Sequence, residues 1–159
     1  MKNFQKILHN ILSETSKIFW ILFKVILPVV VIIRFLELMG AIPYLAKFLE
    51  PLTGFIGIDG SLGLVWMAAI LVNIYAGMAA FASLQAIFDY SVAETTILGL
   101  IILIAHSLPI EVAIARQSRV SAIFNLLFRF INAIIAGKIL NLIFIKYDLF
   151  SEKNISFLK

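Results

Sequence analysis

Two stretches of this chain, Ile18 to Met39 and Val120 to Tyr147, stay apolar for long enough to cross a hydrocarbon layer of ~30 Å at ~1.5 Å of helix per residue. Such stretches must be covered by lipid or by other protein. A soluble domain would also need a largely polar surface. With 62% of the 159 residues apolar and only 14% charged, the polar segments are too short and scattered to make one. The expectation is an all-α integral membrane protein: a helical bundle with interfacial amphipathic helices and two interrupted helices, half-span or re-entrant.

One membrane domain accounts for residues 1–159, divided into an amphipathic interfacial helix over 1–17, a membrane core over 18–147 and a polar tail over 148–159. In the first segment Phe4, Ile7, Leu8, Ile11 and Leu12 fall at helical spacing, with Lys2, Gln5, Lys6, His9 and Asn10 opposite. That pattern suits a helix lying on the bilayer, and equally one packed on a neighbouring subunit. The first long apolar run lacks a small-residue cleavage site just beyond it, so an uncleaved chain is expected. Lys24 and Arg34 can snorkel or face the bundle interior, and Pro28 removes a backbone donor in mid-span and predicts a kink. Gly40 to Gly60, punctuated by Pro43, Pro51, Gly54 and Gly57, reads as a short amphipathic helix plus a turn region. In the last span Ser121, Asn125, Arg129 and Asn132 share one helical face as a wet or partner-facing stripe, and Ala133 with Gly137 predicts a close helix contact.

Between the outer spans, two apolar runs stop halfway. Leu62 to Val72 ends at Asn73-Ile74-Tyr75-Ala76-Gly77. Ile97 to Ala105 ends at His106-Ser107-Leu108-Pro109-Ile110-Glu111. Within lipid every backbone N–H and C=O needs a partner, so a break is tolerated only where protein or a watery cavity supplies one. Asn73 can donate and accept, Tyr75 can hydrogen-bond or stack, and Gly77 allows close backbone approach. Pro109 frees the carbonyl of Ala105 from its helical bond. A carboxylate at mid-depth is costly, which makes Glu111 the first candidate for a functional group; its competing role is an ion pair with Arg116, Arg119 or Arg129. His106 can share a proton with Glu111, bind a solute or join two helices. The candidate solute- and ion-binding set is therefore Asn73, Tyr75, Gly77, His106, Ser107, Pro109 and Glu111.

Several functions are disfavoured. With no cysteine, thiolate metal sites and disulfides are excluded, and two histidines are too few for a histidine-rich metal site, so no metal or other cofactor is expected. The net charge of +4 is spread along the chain rather than gathered into a nucleic-acid-binding patch. Neither a phosphate-binding Gly-rich loop nor an intramembrane protease motif occurs, and the chain is not expected to be an enzyme.

Ile26-Leu27-Pro28, Ile42-Pro43-Tyr44-Leu45, Leu49-Glu50-Pro51, Asn73-Ile74-Tyr75-Ala76-Gly77 and Ala105-His106-Ser107-Leu108-Pro109-Ile110-Glu111 together resemble the gate, or nucleoside-recognition, domain. That family is shared by spore maturation proteins A and B, concentrative nucleoside transporters and ferrous iron transporter B. The resemblance covers roughly Val25 to Gly137. It implies passage of a small solute through a bacterial inner (cytoplasmic) membrane, with the last two strings at the gate. The iron transporter's GTPase and the full nucleoside transporters' scaffold helices are missing. One copy offers little enclosure, so the chain is expected to be one repeat of an oligomeric carrier for a small polar or anionic solute, nucleoside-like or an organic acid. A second copy or a paired sister protein, including an antiparallel one, would complete it. Lys2, Lys6 and Lys17 at one end and Lys146, Lys153 and Lys159 at the other give no strong orientation bias. The rival expectation is a non-transporting membrane scaffold whose polar residues serve packing.

Overall fold

The computed structural model describes residues 2–117 and 121–150, and their regular structure is helical: α1 (Lys2–Leu38), α2 (Ile42–Ile56), α3 (Gly60–Leu71), α4 (Ile74–Gln85), α5 (Val92–Ile104), α6 (Leu108–Gln117) and α7 (Ala122–Tyr147). Among the described residues, three stretches are long and apolar enough to cross a membrane: Ile11–Leu38, Val92–Val112 and Ala122–Tyr147. A fourth arises if α2 and α3, bent by 90° at their junction, are taken as one.

The interfacial helix expected over 1–17 does not end there; α1 is continuous from Lys2 to Leu38 and carries Pro28 in its interior. Most of its described surface is exposed, as lipid-facing helices are, and Ile33 with its neighbours Val29 and Leu36 forms the edge that reaches the core. The expected helix after Gly40 is α2. Its C-terminus is fixed by Gly57 at φ 85°, a left-handed conformation that costs a residue without a Cβ little. There the N–H of Gly57 bonds the Gly54 carbonyl at 3.1 Å and that of Ile58 the Thr53 carbonyl at 3.0 Å.

α3 and α4 pack side by side as a hairpin whose tip is Val72 and Asn73, so the chain doubles back at the first interruption. Gly77 makes this possible. A Cβ there would lie 2.8 Å from the Ala69 Cβ on the facing helix. The glycine's close approach is therefore to α3. The second interruption falls inside one stretch long and apolar enough to span, Val92–Val112, which holds α5 and the first half of α6. α7 packs on α5 through the expected small residues: Ala133 and Gly137 are buried, and a Cβ on Gly137 would meet Ile101 at 2.9 Å. The core joins Ile56, Leu62, Val65, Trp66, Ile97 and Ile101 from α2, α3 and α5.

Candidate functional site

Both half-helices start from polar caps at one end of the bundle. Asp59 caps α3 by accepting from the Ser61 N–H at 2.8 Å, and Ser91 with Glu94 forms a reciprocal capping box on α5. The two caps are tied together: the Ser61 and Tyr90 hydroxyls are 2.7 Å apart. Burial pushes the Tyr90 phenol above its ordinary range, a shift that its bond to Ser61 partly offsets. From this base α3 runs 12 residues and α5 runs 13, which puts both breaks ~18–20 Å along their helices and inside a ~30 Å hydrocarbon layer.

At that depth the two breaks complete each other. The extended backbone at Asn73 ends α3 and leaves the Ala69 carbonyl without its helical donor; the N–H of Ser107 supplies one at 2.9 Å. Ser107 reaches this position at φ 50°, a left-handed backbone that is unfavourable for a serine and is held by the surrounding bonds. As expected from Pro109, the Ala105 carbonyl is free of its helical bond, and the indole Nε1 of Trp66 donates to it at 3.3 Å. Arg129 Nε donates to the Ile104 carbonyl at 2.8 Å, and His106 Nδ1 lies 2.9 Å from the Ile102 carbonyl. A carbonyl can only accept, so Nδ1 carries a proton there.

Glu111, in the first turn of α6, is ion-paired with Arg129 of α7. Of the three arginines weighed for that partner, Arg129 is paired with it; Arg119 and the Arg116 side chain lie outside what the structure describes. Neither side chain is sealed in, since Glu111 is 26% exposed and Arg129 23%. The other candidates divide by position. Asn73 accepts from the Ala76 N–H at 3.0 Å and so caps α4, and Tyr75 is exposed. Gly77 is buried in the hairpin seam, where it also lines an apolar cleft of about 420 Å³ between α4 and α5. Pro109 is exposed beside Leu108, which is buried.

Two residues outside the predicted site prove central to its geometry. Trp66 looked like one more apolar residue, and its single N–H was the signal available. Arg129 was placed on the polar stripe of the last span; an ionisable group at that depth is itself a reason for including it. On the same stripe Ser121 caps α7, and Asn132 bonds back to the Phe128 carbonyl at 2.6 Å. Trp66 stacks flat on Phe130, next to Arg129, with ring centroids 5.2 Å apart.

Long apolar helices, half-helices that end within the apolar layer and breaks closed by protein groups leave one environment. The chain is a multi-pass membrane protein. It is similar to a protein of Bacillus subtilis (strain 168) named uncharacterized membrane protein YvoD, at 29% identity over 124 residues. The matched region is 78% of this chain and 38% of that relative, which is therefore about twice as long (78/38). No family model matches the chain. No solved structure matches it either.

Proposed function

We propose that this protein is a transport subunit, not an enzyme, one repeat of an oligomeric carrier that moves a small polar or anionic solute through a midplane site in the bacterial inner membrane. The observation that carries this reading is the meeting of a hairpin tip and a broken helix at one depth, beside a partly exposed Glu111–Arg129 pair. Carriers commonly build their sites from discontinuous helices at a repeat interface. Asn73, Tyr75, His106 and Ser107 would supply hydrogen bonds there, and the resemblance to gate domains points the same way. Supporting a second repeat, a relative about twice this length has room for two such units in one chain.

The ion pair also favours a second reading, a membrane scaffold, because a carboxylate neutralised by its neighbour needs no solute. Water access separates the two. The chain lacks cysteine, so single Tyr75→Cys and Glu111→Cys variants can be labelled with a membrane-impermeant thiol reagent in vesicles. Labelling at both positions, blocked by a transported solute, is expected for the carrier. Complete protection without solute supports the scaffold. Thermal-shift screening against nucleosides, nucleobases and organic acids would find the solute, since a ligand stabilises the state it binds.

A further inference from the structure

Within that carrier reading, we propose that the solute bears a carboxylate that takes the place of Glu111 on Arg129, and that Glu111 takes up one proton as it lets go. The guanidinium is fixed in place independently of Glu111, because its Nε is bound to the Ile104 carbonyl at 2.8 Å. What remains for Glu111 is the Nη edge, whose planar donors match any carboxylate. An arginine side chain does not lose its proton in proteins, so in a low-dielectric layer a carboxylate is wanted beside it throughout the cycle. Glu111 is the partner built to leave. It sits on α6, a ten-residue helix that follows the backbone break, and about a quarter of its side chain is exposed.

The remaining groups offer Glu111 no second cation to fall back on among the described side chains. α3, packed on α6, contains no titratable residue. Glu94 of α5 is held at that helix's far end by Ser91. On α7, Lys138 lies over the Phe55 ring and Lys146 over Tyr147. His106 at the break holds the Ile102 carbonyl through Nδ1. A Glu111 carboxylate displaced from Arg129 loses the ion pair that neutralises it, and protonation is the inexpensive remedy. The charge balances: the empty site holds one carboxylate and one guanidinium, the occupied site holds the solute carboxylate, the guanidinium and a neutral acid. The proton comes from water on the loading side. It leaves the Glu111 oxygen to water on the other side as the pair re-forms.

The test uses the purified full chain with lactate, pyruvate and benzoate as anions and uridine as the neutral comparison. Binding is followed calorimetrically, and proton uptake with a pH dye in weak buffer. One proton per bound anion is expected, with affinity rising as pH falls. In Glu111→Gln, binding should persist without proton uptake; Arg129→Lys should weaken it about tenfold by losing the planar fork. The Glu111→Gln/Arg129→Gln double variant, which strands no charge and whose folding is checked by its thermal unfolding, should bind none of the anions. Anion binding without proton uptake, anion binding that survives in the double variant, or failure of all three anions to bind would each overturn the proposal. Vesicle uptake of uridine that persists in the double variant would leave the carrier standing while removing this inference, whereas no uptake of any solute would count against the carrier itself.

Discussion

Ser107 donates its backbone N–H to the carbonyl of Ala69 across 2.9 Å, so the residue that breaks one helix caps the end of another. Around this bond, Trp66 and Arg129 cap the Ala105 and Ile104 carbonyls. Unpaired, each such group would cost several kcal/mol in hydrocarbon. The hairpin α3–α4, the broken pair α5–α6 and α7 are coupled through one backbone N–H and two side-chain donors, each closing a carbonyl on another helix.

Trp66→Phe keeps a ring that can stack on Phe130 and removes the donor to Ala105. The expected loss is about 1–3 kcal/mol, the cost of stranding one buried acceptor. Unfolding in mild detergent with a graded denaturant measures it; an unchanged midpoint would mean that water or another group serves Ala105.

Gly77→Ala places a methyl 2.8 Å from the Ala69 Cβ and should destabilise the hairpin by about 1–3 kcal/mol through overpacking. Ala69→Gly in the same chain should restore most of that loss. No rescue in the double variant would show that the seam is not where the strain lies.

Removing one partner of the Glu111–Arg129 pair should cost roughly 2–3 kcal/mol, less than for a fully buried pair because both side chains are about a quarter exposed. Replacing both with glutamine should cost less than the two single changes added. A double-mutant cycle on thermal stability checks this, and strict additivity would mean that the pair contributes no coupling.

Tyr90 gives a prediction in pH. Its phenol is raised by burial, so the folded state holds the proton where an unfolded chain, with an ordinary pKa of about 10, has released it. Its contribution is therefore complete below that value and falls as pH rises above it. Stability of the native chain should decline in that alkaline range more steeply than that of Tyr90→Phe. Parallel slopes would show that Tyr90 does not drive the decline.

Much of the fold can be read from residue order. Apolar runs that stop at Asn73 and at His106 announce half-helices, Pro109 announces an orphaned Ala105 carbonyl, and Ala133 with Gly137 announces a helix seam. Their partners could not be read in the same way. That Trp66 reaches Ala105, or that Ser107 N–H meets Ala69, depends on how α3 lies beside α5, and periodicity along one helix carries no information about its neighbour. For the same reason the sequence offered three arginines for Glu111 with nothing to choose among them, and the hairpin seam at Gly77 read equally well as a place for a solute.

The order of these partners along the chain constrains how the protein can be made. Ala69 is synthesised well before Ser107, and Ile104 and Glu111 before Arg129. A nascent chain delivered to the bilayer helix by helix would carry the Ala69 carbonyl open until Ser107 emerged, and the Ile104 carbonyl and the Glu111 acid without Arg129 until α7 did. Its middle third must therefore wait, sheltered by the insertion machinery or held near the headgroups, and settle to full depth only as a late, concerted act of assembly.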